Sequence, residues 1–82
     1  MNGAKKEFLI LYDYGSGGLW GVMRAYSAEE ILARYPELTV ARKRPAWMTD
    51  AVFEDINRSE SHDFDDEPHG LVKVLLADRS RN

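Results

Sequence analysis

The stretch Tyr12-Asp13-Tyr14-Gly15-Ser16-Gly17-Gly18-Leu19-Trp20-Gly21 joins two apolar runs of the chain, and its composition indicates a turn between them. Glycine occupies three of the four positions 15–18. Because glycine adopts φ > 0 without steric cost, it is the residue that tight turns between antiparallel strands favour. The runs Phe8–Tyr12 and Leu19–Tyr26 are therefore predicted to pair as a β-hairpin.

The first of these runs is apolar at every position, so both of its alternating faces are apolar. This pattern is typical of a strand that is covered on both sides, and Phe8–Tyr12 is predicted to be a central strand. The run Leu38–Ala41 is predicted to form a short third strand. The run Leu71–Ala77, apolar on both faces except for Lys73, is predicted to form the last strand.

Two helices are predicted from their start signals. Ser27 stands where an N-cap belongs, and Glu30, three residues later, completes a capping box. Pro36 ends this first helix, because proline disfavours helical geometry in the residue before it. Thr49 is predicted to cap a second helix that ends near residues 57–59.

The order of elements is therefore ββαβαβ, and the predicted fold is a single α+β domain over residues 1–82. It contains a mixed sheet of three to four strands and two helices. Residues 1–5 and 79–82 are predicted to be loose tails, and residues 59–70 a polar acidic loop.

Two helices are little cover for strands that are apolar on both faces. If both helices lie on one face of the sheet, Leu9 and Leu11 project from the other face, where burial against a second copy is the commonest solution for identical chains. A homodimer is expected in that case. If the helices are split between the faces, a monomer covers both.

Composition excludes several classes of protein. The chain has no cysteine, which excludes disulfides and thiolate chemistry and is typical of a cytoplasmic protein. No apolar run reaches membrane-spanning length, so no membrane partner is expected. The net charge of −3 disfavours a general nucleic-acid binder, which needs a basic surface to neutralise phosphates.

The glycine-rich loop also suggests phosphate binding, but its context argues against that function. A strand follows the loop, so no helix N-terminus is available to hold a phosphate. The serines and the two histidines form no evident pair of nucleophile and base. No cofactor and no catalytic residue are predicted.

A cluster of metal-binding residue types lies in the acidic loop, at His62, Asp63, Asp65, Asp66, Glu67 and His69. An EF-hand loop beginning at Asp63 requires glycine at its sixth position, where Pro68 stands. The H-E-x-x-H zinc motif is absent as well. The pattern favours a solvated acidic loop, and no metal site is predicted.

The residues with the strongest binding signal are aromatic. Tyr12, Tyr14 and Trp20 flank the turn, and together with Arg44 they could line a pocket for a small ligand or an enzymatic site. Trp20 is expected to be more exposed than Trp47, which is expected to plug the core. The basic run at residues 42–44 is interpreted as a solvated edge that discourages strand addition rather than as a nucleic-acid contact.

Four blocks of the chain resemble those of a set of short, uncharacterised bacterial proteins: Tyr12-Asp13-Tyr14-Gly15, Gly17-Gly18-Leu19-Trp20, Tyr35-Pro36-Glu37-Leu38 and Arg44-Pro45-Ala46-Trp47-Met48. The resemblance covers most of the chain, from about residue 8 to 66. It implies a bacterial cytoplasmic protein and carries no site residue with it. The sequence as a whole favours a small non-enzymatic interaction module that binds a protein partner or itself.

Overall fold

The computed structural model describes residues 4–81, which form an α+β domain with a mixed four-stranded sheet and three helices. The elements follow in the order β1 Lys6–Asp13, β2 Gly18–Ala25, α1 Ala28–Arg34, β3 Leu38–Ala41, α2 Asp50–Ser59, β4 Ser61–Asp63 and α3 Gly70–Ser80. The α+β class and the mixed sheet agree with the prediction. The third helix does not, because the sequence pattern predicts two.

The predicted hairpin is confirmed. β1 and β2 pair antiparallel up to Asp13, which lies opposite Gly18. Gly15 has a φ of 99°, and its N–H donates to Oδ1 of Asp13 at 2.9 Å. The backbone N–H of Tyr14 donates to the carbonyl of Gly17 at 3.0 Å and closes the turn. The glycine-rich stretch therefore provides the backbone geometry that the register of the two long strands requires.

The strands lie in the order β3-β1-β2-β4, so β1 is a central strand, as predicted. β3 pairs antiparallel with β1 and forms one edge of the sheet. The basic residues 42–44 directly follow that edge strand. β4 pairs parallel with β2 and forms the other edge, over only three residues.

α1 begins as the sequence predicts, with Ser27 as its N-cap. Oγ of Ser27 accepts a hydrogen bond from the backbone N–H of Glu30 at 3.1 Å. In return, Oε1 of Glu30 accepts from the backbone N–H of Tyr26 at 2.9 Å. The first bond satisfies an N–H group of the first helical turn, whereas the second reaches the residue before the N-cap, one position earlier than in the standard capping box.

Replacing this cap should destabilise the domain. Ser27→Ala is expected to lower the free energy of unfolding by about 1 kcal/mol, because the Glu30 N–H loses its acceptor. Glu30→Ala should lower it as well. Urea denaturation measures both effects, and Glu29→Ala, an exposed change in the same turn, serves as the control. Unchanged midpoints in both cap variants would contradict this start of α1.

The two faces of the sheet are covered by different helices. Ile10 and Met23 lie on the face that packs against α1 and α3, together with Tyr12, Ala25, Ile31, Tyr35, Leu38, Phe64, Leu71, Val72 and Leu75. The neighbouring residues Leu9 and Val22 point to the opposite face and are also buried. α2 covers that second face, and Val52, Phe53 and Ile56 of this helix are half-buried.

This division bears on the expected homodimer. The expectation rests on both helices lying on one face, with Leu9 and Leu11 uncovered on the other. α2 instead lies over that face, so that Leu9 is 8% exposed within a single chain and Leu11 is half-buried. The reason for a dimer given by the sequence is thereby removed, while self-association itself stays a prediction.

The predicted last strand is wrong, because Leu71–Ala77 lies within the helix α3. Its buried residues are Leu71, Val72 and Leu75, whereas Val74 is 42% exposed. This spacing matches one face of a helix. A short apolar run is compatible with a buried strand or a buried helix, and only the partner surface decides between them. Here that surface is the β1–β2 face of the sheet.

The predicted boundaries of the loop and the tails also need correction. The acidic segment 59–70 contains β4, which adds to β2 through backbone hydrogen bonds. One of these joins the Val22 N–H to the Glu60 carbonyl at 2.9 Å. Lys5 is not part of a loose tail, since its ammonium group pairs with Asp63 and with Asp65. Residues 1–3 and 82 lie outside the described residues.

The predicted C-terminal tail is helical at residues 79 and 80. Arg79 donates to both carboxylate oxygens of Glu37 at 2.6 Å, and also to the carbonyl of Arg34 at 3.1 Å. These bonds hold the pKa of the Glu37 carboxyl below its ordinary value. The end of α3 is therefore fastened to the connection between α1 and β3.

Candidate functional site

The four predicted binding residues do not line one pocket. Tyr12 lies on the face that carries α1 and α3, and the ring of Tyr14, in the turn, is near it, with centroids 6.2 Å apart. Trp20 is opposite Leu11 in the register, and it therefore points to the face that carries α2. Arg44 lies over the ring of Phe53, a residue of α2. The alternation of side chains along the hairpin thus separates the predicted set into two pairs.

Tyr12 has a structural environment. Its side chain is 7% exposed, and its hydroxyl donates to Oδ2 of Asp78 in α3 at 2.8 Å. This hydrogen bond and burial raise the pKa of Tyr12 above its ordinary value. The residue therefore connects the central strand to the C-terminal helix and offers little surface to a ligand.

Tyr12→Phe is expected to lower the urea midpoint of unfolding, because the bond to Asp78 is lost. In the unfolded chain the phenol ionises near pH ~10, whereas in the folded protein it ionises at higher pH. The contribution of Tyr12 is therefore fully present below pH ~10 and is lost as the pH rises through the folded pKa. The midpoint of Tyr12→Phe should therefore lie below that of wild type at pH ~9, and the two should converge as the pH rises above ~10. Tyr14→Phe, an exposed change, should match wild type at pH 9.

The second pair leads to a surface with two tryptophans. The rings of Trp20 and Trp47 meet edge to face, with centroids 5.6 Å apart and planes at 76°. Trp47 is 57% exposed, the highest value among the large apolar side chains of residues 4–81, while Trp20 is half-buried. The prediction for the two tryptophans is thus reversed. Met48, which is 4% exposed, is the residue that plugs the core.

The segment that carries Trp47 is fixed at both ends. The backbone N–H of Met48 donates to the carbonyl of Pro45 at 3.0 Å and closes a turn in which Trp47 is one of the two central residues. Thr49 then caps α2, as predicted, by accepting from the backbone N–H of Val52 at 3.3 Å. Burial of Met48 within this turn leaves the neighbouring Trp47 on the outside.

Arg44 lies next to this turn and is held by two contacts. Its Nη1 atom donates to Oδ1 of Asp50 at 2.5 Å, and its guanidinium carbon lies 4.3 Å from the centroid of the Phe53 ring. Arg42 and Lys43 are exposed beside it. We refer to Trp20, Trp47 and Arg44 as the tryptophan surface. It combines two large aromatic side chains with one arginine, which the exposed residues Arg42 and Lys43 precede in the chain.

The acidic segment separates into two groups of side chains. Asp63 and Asp65 bind the ammonium group of Lys5, and this ion pair holds the pKa of the Asp63 carboxyl below its ordinary value. His62 and His69 instead stack on each other, with ring centroids 4.4 Å apart. Asp63 and Asp65, although close to His62 in the sequence, therefore pair with Lys5 and not with a histidine.

The carboxylate that bonds to His62 is Glu60, which is not among the acidic-loop residues named from the sequence. Its Oε2 atom lies 2.7 Å from Nε2 of His62. His62 is 4% exposed, and burial lowers the pKa of its imidazole, although the bond to Glu60 opposes this shift. The sequence does carry a signal, since Glu60 and His62 are two residues apart and share one side of the extended chain around β4. This spacing becomes informative only if residues 61–63 are first predicted to be a strand, and the sequence pattern predicts them to be part of a loop.

Two grooves lie apart from the four predicted binding residues. One of about 450 Å³ is lined by Glu7, Arg24, Glu54, Asn57, Arg58 and Ser61. Another of about 520 Å³ lies where α1 meets the strands β1 and β3, with Phe8, Leu32 and Val40 among its lining residues. None of the four predicted binding residues lines either groove, so neither supports the small-ligand alternative.

In the described part of the chain, no helix has the length and apolar content that crossing a bilayer demands. Comparison with protein-family models, with curated proteins and with solved structures found no match in any of the three.

Proposed function

We propose that this chain is a small non-enzymatic interaction module that binds a protein partner through the tryptophan surface. The observation that supports the proposal most directly is the 57% exposure of Trp47, whose ring is nevertheless held against Trp20. Leaving so large an apolar side chain in water forgoes the stabilisation that burial provides. Tryptophan and arginine are also the residues most enriched among those that dominate binding energy at protein interfaces.

The tryptophan surface is organised before a partner arrives. The turn that carries Trp47 is anchored by Met48 and by the cap at Thr49, and Arg44 is held by Asp50 and Phe53. A surface that is already ordered loses little conformational entropy when it binds. This favours recognition of a specific partner over loose hydrophobic contact.

The charges indicate the kind of partner. Arg42, Lys43 and Arg44 are all exposed in the segment that leads into the turn of Trp47, and Asp50 pairs with Arg44. Complementary charge steers association and excludes partners with like charge. The favoured partner is a protein segment that carries an apolar anchor for Trp47 together with carboxylates for the basic residues.

The rival functions have less support. A pocket for a small ligand or an enzymatic reaction requires Tyr12, Tyr14, Trp20 and Arg44 on one side, whereas the strand register separates them. A nucleic-acid contact through residues 42–44 would use Trp47 for stacking. The net charge of −3 makes that partner less favourable than a protein.

The proposal is tested by affinity capture from a bacterial lysate with three versions of the chain: wild type, Trp47→Ala and Tyr26→Ala. Tyr26 is the matched control, because it is an aromatic residue with a similar exposure of 49% outside the tryptophan surface. A protein retained by wild type and by Tyr26→Ala but lost with Trp47→Ala is the expected result. Circular dichroism verifies that Trp47→Ala is folded.

Retention must then be reproduced with the purified partner. Loss of a central tryptophan typically costs 2 kcal/mol or more at an interface, so Trp47→Ala should weaken binding by roughly 30-fold. Equal retention by all three versions would overturn the proposal. Retention that nuclease treatment abolishes would assign the surface to nucleic acid, and a doubled mass in sedimentation equilibrium would make a second copy the partner.

A further inference from the structure

The end of α2, the short strand β4 and the start of α3 meet at one point of the fold, and each contributes a side chain that can bind a metal. Glu60 is the residue that ends α2, His62 lies in β4, and His69 precedes the first residue of α3. Their candidate ligand atoms all lie within 4.8 Å of one another. The cluster is independent of the tryptophan surface and of the acid pairs that hold Lys5.

The donor set selects a class of cation. Two imidazoles and one carboxylate bind zinc and other borderline divalent ions, commonly with further positions left open to water or substrate. Calcium and magnesium instead prefer sites built from oxygen ligands. The cluster is therefore suited to Zn²⁺ rather than to the cations that the acidic composition of the segment would suggest.

The distances are close to those that a bound ion needs. With metal–ligand bonds of about 2.1 Å, neighbouring ligand atoms lie roughly 3–3.5 Å apart. The Glu60 and His62 atoms are already 2.7 Å apart, bridged by a proton that the ion would replace. His69 stacks on His62, with ring centroids 4.4 Å apart, and its exposed ring must turn from this stack to direct a nitrogen at the same ion.

The surroundings orient the carboxylate. The backbone N–H of Leu71, in the first turn of α3, donates to Oε2 of Glu60 at 3.2 Å. Gly70 has a φ of 54°, and a Cβ atom at this position would lie 2.1 Å from the same oxygen. Glycine at position 70 therefore makes room for the Glu60 side chain. A hydrogen bond from outside the ligand set is also the arrangement that orients ligands in metal sites.

We propose that Glu60, His62 and His69 form a binding site for a borderline divalent cation, represented by Zn²⁺, with at least one coordination position open at the surface. Burial of His62 and its bond to Glu60 support the site, because a ligand that is already held in place loses little conformational entropy when the ion binds. The ion would join the end of α2, the edge strand β4 and the start of α3, and should therefore stabilise the fold on binding.

The test uses the tag-free chain with ZnCl₂ as the probe and MgCl₂ as the comparison. Isothermal titration calorimetry should show saturable binding of one Zn²⁺ per chain. A separate thermal unfolding scan should show a higher melting temperature with Zn²⁺. Mg²⁺ should produce neither effect. The chain has two histidines, so ¹⁵N NMR of the imidazoles reports on each of them. Both His62 and His69 should shift at one equivalent of Zn²⁺.

His69→Ala is the decisive variant, because His69 is exposed and its loss leaves the Glu60–His62 bond in place. Removal of a partner outside the ligand set costs 10- to 100-fold in affinity, so loss of this ligand should cost at least about tenfold. Glu67→Gln, an exposed change in the same segment, should bind as wild type does. A shift confined to His69, no saturable binding, or equal affinity of His69→Ala would overturn the site.

Discussion

Leu75→Ala should lower the free energy of unfolding by about 2–5 kcal/mol, the range typical of buried leucines. Leu75 is fully buried, at 0% exposure, within the cluster formed by the sheet, α1 and α3. Its truncation removes apolar contacts and leaves a cavity beneath α3. Since small domains have only about 5–15 kcal/mol of stability, the urea midpoint should fall sharply.

Val74→Ala is the matched control for this prediction, and it also tests the helix itself. Val74 is 42% exposed in α3, and alanine has the higher helix propensity, so the change should alter stability by less than about 0.5 kcal/mol. If the segment formed a two-sided central strand, Val74 and Leu75 would both be buried on opposite faces. Comparable losses in the two variants would therefore contradict α3.

Gly21→Val should be the second large effect, with a loss of about 3 kcal/mol, the upper end of the range for overpacking a core. A Cβ atom at position 21 would lie 2.8 Å from Cδ2 of Leu71 and 3.1 Å from the carbonyl oxygen of Glu60. Leu71 is 1% exposed and has no space to move into. The Glu60 carbonyl accepts the bond from Val22 that joins β4 to β2, so shifting it breaks the edge of the sheet.

Gly18→Val is the control, because it places the same side chain in the same strand. A Cβ atom there would meet Cδ1 of Leu11 at 2.7 Å, but Leu11 is half-buried and can turn toward water. The change should cost at most about 0.5 kcal/mol. Urea denaturation compares the two variants. A loss at Gly18 as large as that at Gly21 would show that β2 tolerates no side chain at either glycine.

The proposed interaction surface and the proposed metal site lie in different parts of the fold. Trp47 is carried by the turn before α2, whereas Glu60, His62 and His69 lie beyond the end of that helix. Variants of one should therefore leave the other unchanged. Zn²⁺ titration of Trp47→Ala and partner binding by His69→Ala measure this independence directly.

The sequence by itself determined the features whose bonds join residues close along the chain. The cap at Ser27 and Glu30, the cap at Thr49 and the hairpin turn at Gly15 all form within a few residues. Such bonds depend on local residue identity alone, and any fold that contains these segments can form them. The central position of β1 followed from its apolar character on both faces.

Only the tertiary structure decided features that depend on a distant surface. Leu71–Ala77 forms a helix because one side of it packs against the sheet. Its apolar pattern in the sequence is compatible with either a buried strand or a buried helix. Met48 rather than Trp47 entered the core because the turn after Pro45 directs adjacent side chains apart. The spacing of Glu60 and His62 already places these two residues on one side of the chain, but His69 joins them only because the start of α3 lies against β4.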